Sequence, residues 1–426
     1  MMKKVLIITY YWPPYTGSGV QRWLKFSKYL PSHGWKPFVY TPENPAIRTE
    51  DKDLLMEIDK SVEVWKNKIF EPYSLKEFFF GANDSDNSGL LLHKQTLKDN
   101  FLTWIRGNLF IPDPKMFWIR PSIKFLKKKI RDEKIEYIIS TGPPHSMHLI
   151  GLGLKDLIPN IKWIADFRDP WSNLDLLENF RLTNYSKKRH QELEKRVIES
   201  ADVTLTVSES WADNFNILGS KNTLIITNGF DSNDFLNYNI DINHDKFVIG
   251  HYGLLNNLRN PVRLWDMLEK LCVENKLFRN KLEIRLSGIL DPSVKDYLDK
   301  LPYLKDRYND LGFLCHKSII EEYANTSVLL LLVFNSNSGK GNYPGKLFEY
   351  MAAKRPILAF GPEDSDTEKI IHSRSIGFFH TYEGDDLLKN NILDLFNRKL
   401  DVSKSSIEDF DRKKLTQKLV DLLNSI

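Results

Sequence analysis

The chain has 426 residues, 42% of them hydrophobic and 27% charged, with 60 Lys and Arg against 56 Asp and Glu. That length exceeds one ordinary core and leads to an expectation of two domains. A formal net charge of +4 gives no global attraction to nucleic acid. The two cysteines, Cys272 and Cys315, make neither a disulfide framework nor a metal knuckle, so a reducing compartment is the default expectation. Met1-Met2-Lys3-Lys4 carries the charge of a leader, but the apolar run 5–8 is too short for its hydrophobic part. The longest apolar run, 328–334, falls far short of a membrane span. These features together predict a cytosolic protein.

In chain order, 5–10 reads as a strand buried on both faces. A loop with Pro13-Pro14 and Gly17-Ser18-Gly19 follows, then a helix over 20–30 carrying Val20, Trp23 and Leu24 on its apolar side. Further strands are predicted at 38–41, 62–64, 137–140, 161–166, 203–207 and 224–227, with helical patterns between most of them. Such alternation is the signature of a doubly wound parallel sheet. A polar, Asn- and Asp-rich linker covers 231–245. The pattern then restarts: a strand over 247–252 runs into Gly253, and a helix follows over 261–275. Strands are predicted at 282–286, 328–333 and 356–360, and helices at 344–353 and 385–397. A last amphipathic stretch, 405–426, puts Leu415, Leu419, Leu422, Leu423 and Ile426 on one face. The reading is two domains: 1–230, with the terminal helix of about 408–426 packing back on it, and 231–407.

Between about 66 and 120 the alternation fails. Phe78-Phe79-Phe80, the polar loop 83–88, Trp104, Phe110 and Trp118 lie here, and 94–134 carries eleven Lys and Arg against four Asp and Glu. A basic-aromatic insertion of this kind suits an anionic lipid surface. An ordinary packed insertion with a solvated basic face is the plainer reading.

Four segments carry candidate chemistry. Gly17, Ser18 and Gly19 stand between strand and helix, where glycine lets the backbone approach a ligand and the helix start attracts anions. A loop that merely needs small residues reads the same way. The dinucleotide fingerprint fails, because Arg22 occupies its third glycine and no acid ends the second strand, which argues against an NAD-dependent oxidoreductase. Gly253 followed by Arg259 makes a weak candidate pyrophosphate cradle, and a surface Arg is the plain alternative. The segment 342–359 is more specific. Gly345 and Lys346 are expected at the positive end of a helix, suited to a diphosphate, with Leu347 beside them, and Glu349 one turn on, where a carboxylate can accept two ribose hydroxyls. Finally, His145 follows one strand and Asp166, Arg168 and Asp169 follow the next, at the sheet edge where such folds bind ligands. His145 as a helix cap and Asp169 as a partner of Arg168 are the structural alternatives.

The segment Pro344-Gly345-Lys346-Leu347-Phe348-Glu349-Tyr350, with the small residues and Pro-led strand after it, resembles the donor-site motif of the large family four of retaining GT-B glycosyltransferases. The resemblance extends over nearly the whole chain: the Gly17-Ser18-Gly19 loop, Val207 to Ser210, Thr227 to Asp231 and the final helix have counterparts. Ala165-Asp166-Phe167-Arg168-Asp169-Pro170-Trp171 is a pattern of its bacterial surface-polysaccharide members. The resemblance implies an α/β fold of the GT-B type, two Rossmann-like doubly wound domains facing a cleft. It implies transfer of a sugar from a nucleotide-sugar, with retention, to a glycan or lipid-linked acceptor, in cell-surface polysaccharide synthesis. It implies donor contacts from Gly17, Ser18, Gly19, Gly253, Arg259, Gly345, Lys346, Leu347 and Glu349, and acceptor-side catalysis near His145 and Asp169, with Arg168 and Asp166 beside them. One departure stands out: Gly341 replaces the first glutamate of the family's Glu-x7-Glu signature.

No Asp-x-Asp stands at a predicted strand end, Asp84 and Asp86 lie in the polar loop, and no His pair has zinc spacing, so no metal or other cofactor is expected. The expected partners are the donor, the acceptor and an anionic membrane on its inner face, without nucleic acid. A non-catalytic nucleotide-binding module, favoured by Gly341, and a sugar-nucleotide epimerase are the rival readings.

Overall fold

The computed structural model describes residues 2–15, 18–47, 50–71, 97–173, 177, 180–236, 245–384 and 386–426. Gly17, Phe78-Phe79-Phe80, Asp84 and Asp86 lie outside the described residues. The chain forms two compact units, one of Met1–Thr227 with Arg412–Ile426 and the other of Asn228–Asp411.

The first unit is built on seven parallel strands: β1 (Lys3–Ile8), β2 (Trp35–Pro42), β3 (Glu63–Asn67), β4 (Tyr137–Gly142), β5 (Lys162–Phe167), β6 (Val203–Thr206) and β7 (Thr223–Ile225). Their order is β3-β2-β1-β4-β5-β6-β7. β1 is central, pairing with β2 and β4, so its apolar run is buried on both faces. Val5 and Ile7 pack with Trp23 and Leu24 of the helix Ser18–Tyr29 and with Leu415, Leu419 and Leu423 of the terminal helix Arg412–Ser425. Leu6 and Ile8 face the other way, onto Leu126 and Ile130 of the helix Ile119–Glu133 and Met147 and Ile150 of the helix Ser146–Leu157. The two-residue period of the strand divides one apolar run between two cores.

The second unit repeats the plan with six parallel strands: β8 (Phe247–Tyr252), β9 (Leu282–Ser287), β10 (Tyr308–Asp310), β11 (Val328–Leu332), β12 (Ile357–Phe360) and β13 (Gly377–His380). Their order is β10-β9-β8-β11-β12-β13. In each unit the winding reverses beside the first strand, between β1 and β4 and between β8 and β11. Ligands bind such sheets at this switch point, outside the carboxyl ends of the strands. The loops after β1, β4, β8 and β11 are therefore the ones placed for function.

Two strands add to those predicted. β10 reads Tyr-Asn-Asp, with no apolar alternation, and is held as an edge by pairing with β9. β13 begins at Gly377, where a Cβ would stand 1.9 Å from the Ile357 carbonyl oxygen, so glycine there permits pairing rather than marking a loop. The basic-aromatic segment is partly core. Trp118 is buried and stacks on Tyr40 with ring centroids 4.7 Å apart. Phe70, Phe101, Trp104, Leu109 and Phe117 remain exposed, as do Arg120, Lys124 and Lys128. Among the described residues no helix is long and apolar enough to cross a membrane.

Candidate active site

In the second unit the helix Gly345–Ala352 begins just past the loop that follows β11. Gly345 is exposed, and a side chain built on it would meet nothing within 4 Å. The first-turn amides of a helix have no acceptor within it, so this end is open to an anion. Leu347 differs from expectation: its side chain is core, and its amide already donates to the Pro344 carbonyl at 2.9 Å. Its contribution is to seat the helix.

Glu349 is the centre of a polar cluster. Its Oε2 accepts from Lys346 Nζ at 2.9 Å and from the Tyr323 hydroxyl at 2.7 Å, while Lys346 Nζ also reaches the Tyr323 oxygen at 3.1 Å. His316 Nε2 stands 3.6 Å from Oε1. Burial by itself would raise the Glu349 carboxyl, but the Lys346 ammonium and the His316 and Tyr323 groups outweigh it and hold the carboxyl far below its usual range. In return, Glu349 raises the His316 imidazole against the opposing effect of burial. Burial first, and the Glu349 charge second, keep the Tyr323 phenol protonated. The carboxylate keeps 21% of its side-chain surface exposed, so this fixed charge remains open to a ligand.

Gly253 follows directly on β8, its amide donating to the Ser287 carbonyl at 2.8 Å. Gly288 takes a φ of +115° beneath it, where a Cβ would come within 2.4 Å of the Gly253 carbonyl oxygen. The turn Asn257–Arg259 then lays the Arg259 guanidinium over the Phe334 ring, 3.5 Å from its centroid. Arg259 Nε is buried without a hydrogen-bond partner, and burial lowers the group to about 10. Both Arg259 and Lys346 act on the His251 ring, which burial brings down to about 4. Both positive charges lower the same imidazole, and of the two Lys346 is tied to a carboxylate.

In the first unit the candidates gather at the carboxyl edge of β1, β4 and β5. Gly19 is tightly placed: a Cβ there would lie 2.6 Å from Tyr11 Cδ2 and 2.7 Å from Arg168 Nη1. Arg168 donates through Nη2 to the Pro143 carbonyl and lies over the Tyr11 ring at 5.9 Å. Ser18 opens the helix, and its side chain is not described. His145 does not cap the helix after it; Asp113 does, accepting from Ser146 N at 2.8 Å and Ser146 Oγ at 2.7 Å. The His145 ring instead stacks parallel on Trp171 at 4.8 Å, with Nδ1 buried and unpartnered. Burial, then the neighbouring His148, His190 and Arg168, hold it well below 6.5, so it is a neutral base. Asp169 is half-buried, and burial raises its carboxyl against the Arg168 charge. Asp166 is different. It has no exposed surface and is bound by Arg22 Nε at 3.2 Å, Arg22 Nη2 at 2.9 Å, Trp23 Nε1 at 2.8 Å and Thr141 Oγ1 at 2.8 Å. Oδ2 accepts three of these bonds and Oδ1 one, and with no exposed surface this carboxylate is committed to holding the strand ends together.

Among the described residues no three His, Cys, Asp or Glu side chains are grouped so as to hold a metal ion. His316 and Tyr323 were not legible as site residues in the sequence. They lie seven residues apart on the helix His316–Ala324, a spacing that returns to one helix face, but their target, Glu349, is on another helix.

The architecture defines a class: two doubly wound α/β units of the GT-B fold. No family model and no curated protein sequence matches the chain. Solved structures do. A glycosyltransferase from Rickettsia africae superposes with a TM-score of 0.64 at 12% identity, covering 100% of this chain and 98% of its own. WaaG, a glycosyltransferase involved in lipopolysaccharide biosynthesis, gives 0.58 at 12% identity, covering 99% and 100%. A Listeria monocytogenes protein assigned as a UDP-N-acetylglucosamine 2-epimerase gives 0.57 at 11%, covering 100% and 96%. At such identities the likeness is one of fold.

Proposed function

We propose that the chain is a retaining glycosyltransferase that moves a sugar from a nucleotide-sugar to a glycan or lipid-linked acceptor, without a metal ion, in cell-surface polysaccharide synthesis. The observation that carries this reading is the partly exposed Glu349, paired with Lys346 one turn into a helix that starts at an exposed Gly345 with nothing within 4 Å of where its side chain would stand, together with the buried Arg259 of the same unit. A carboxylate held charged in this way accepts ribose hydroxyls. A buried guanidinium with no ion pair among the described residues is a fixed positive group for a leaving diphosphate, preorganised and needing no cation to accompany it. His145, neutral and with an unpartnered ring nitrogen, and Asp169, raised by burial, are the acceptor-side candidates. Retention rests on the family resemblance, with front-face attack from the side on which the diphosphate leaves. The exposed Phe101, Trp104, Leu109 and Phe117, with the exposed Arg120 and Lys124 in the same stretch of chain, support contact with an anionic membrane surface, where a lipid-linked acceptor would lie.

The epimerase-like neighbour keeps a second reading in view, since it shares the fold. The test is nucleotide-sugar consumption with and without lipid-linked or glycan acceptors, in excess chelator. Acceptor-dependent release of nucleoside diphosphate is expected, with Glu349→Gln and Arg259→Ala inactive yet folded. Acceptor-independent interconversion of the sugar would favour the epimerase. Loss of turnover on chelation, restored by magnesium or manganese, would remove the metal-free mechanism. Full activity of Glu349→Gln would remove the site.

A further inference from the structure

The sequence pattern put Lys346 on the diphosphate, but the structure gives its ammonium another task. Lys346 Nζ is held by Glu349 Oε2 at 2.9 Å and by the Tyr323 oxygen at 3.1 Å, and the Tyr323 hydroxyl donates to the same Oε2 at 2.7 Å. The three groups close a triangle. A carboxylate oxygen has two lone pairs in its plane, and here both on Oε2 are taken. Oε1 has its nearest partner, His316 Nε2, at 3.6 Å, beyond hydrogen-bond length. Arg259 is the contrasting cation. Among the described residues no carboxylate forms an ion pair with it: its guanidinium rests on Phe334, and its Nε is buried and unpartnered.

We infer that Lys346 and Tyr323 are positioning residues of Glu349, locking Oε2 so that Oε1 is presented with both lone pairs to a vicinal pair of ligand hydroxyls, while Arg259 takes the phosphate charge. This assignment rests on the nucleotide-sugar reading of the site and divides the labour within it. Diverting Lys346 to a phosphate would leave the carboxylate with Tyr323 and His316 alone. The ammonium has three N–H donors; Glu349 and Tyr323 engage two of them, and swinging it fully onto a phosphate would break the charge-assisted bond that fixes Oε2. The fully buried Tyr323 explains why the lock is rigid: its ring is fixed edge-on between Tyr252 and Tyr350, with centroids 5.2 and 5.3 Å away.

The test is a double comparison of affinities. Calorimetric dissociation constants are measured for a nucleoside monophosphate and diphosphate, taking uridine, guanosine and thymidine pairs in turn and using whichever base the wild type binds. Tyr323→Phe and Lys346→Met remove the lock while keeping the volume and the stem. Each is expected to weaken mono- and diphosphate by the same factor, about tenfold, the loss of one charge-assisted bond, so their ratio stays at the wild-type value. Arg259→Met is expected to weaken the diphosphate more than the monophosphate and so compress the ratio. Lys346→Arg should restore little, because a planar fork does not replace a point donor shared between two oxygens. A compressed ratio in Lys346→Met would assign that ammonium to the phosphate and overturn the inference, as would unchanged affinities in Tyr323→Phe. If the wild type binds none of the six nucleotides, the donor-site reading itself fails, a result distinct from either.

Discussion

Asp166→Asn replaces a buried anion with a neutral amide while Arg22, 1% exposed, keeps its charge. Two guanidinium bonds, at 3.2 and 2.9 Å, lose their charge assistance, and an amide nitrogen must be accommodated among four donors where two oxygens stood. Removing one partner of a buried ion pair costs about 3–5 kcal/mol, because the other charge is left uncompensated in a medium that solvates it poorly. The unit that contains the pair comprises about 240 residues. For a domain of that size each kcal/mol moves the midpoint by about 2–4 °C, so the first unit should melt about 6–20 °C earlier. Scanning calorimetry of the full chain reads this as an early transition, and urea unfolding gives the free energy directly. The paired replacement Arg22→Met with Asp166→Leu should recover much of the loss, since a neutral apolar pair needs no solvation. It should not recover all of it, because Trp23 Nε1 and Thr141 Oγ1 would stay unbonded at about 1–3 kcal/mol each. An Asp166→Asn protein as stable as wild type to within about 1 kcal/mol would refute the reasoning and return Asp166 to the list of groups available to a ligand.

Gly19→Ala sets a methyl 2.6 Å from Tyr11 and 2.7 Å from Arg168. An overpacking cost of about 1–3 kcal/mol is expected, together with a loss of donor or acceptor affinity as Arg168 is displaced; wild-type stability and turnover would contradict it. His145, His148, His190 and His251 are all lowered by burial, His148 to about 3 and His251 to about 4. The unfolded chain takes up these protons near 6.5 and the folded chain does not. Their contribution is therefore present above that value and lost below it, at about 1.4 kcal/mol per imidazole per pH unit. His316, raised by Glu349, acts in the opposite sense, its contribution being lost as pH rises. With four groups against one, the thermal midpoint should fall between about pH 7.5 and pH 5.5; a flat or rising profile would be the wrong sign. Phe101→Ser with Trp104→Ser, both at exposed positions, should reduce co-sedimentation with phosphatidylglycerol vesicles without changing the melting temperature. Undiminished sedimentation would remove that face as the membrane contact.

The fold was legible because its signal is local. Val5 to Ile8 and Val328 to Leu332 are short unbroken apolar runs between loops, too short for an ordinary helix and suited to a strand covered on both faces, and the helical patterns between them point to the parallel winding. The strand at Tyr308–Asp310 was hidden, since an edge strand of three residues owes its form to the neighbour it pairs with. Glu349, Lys346 and Arg259 were visible as candidates through helix starts and glycine turns, which are written in consecutive residues.

By itself, then, the order of residues determined the alternation of elements, the two sheets and the segments able to meet an anion, because each depends on neighbours within a few positions along the chain. Only the tertiary structure decided which polar groups are already satisfied. Arg22 lies 144 positions from Asp166, and Tyr323 lies 26 from Glu349. Whether a carboxylate is spent inside the fold, as at 166, or held charged at an accessible surface, as at 349, depends on donors brought from distant parts of the chain and on the water they exclude. No local pattern encodes that difference.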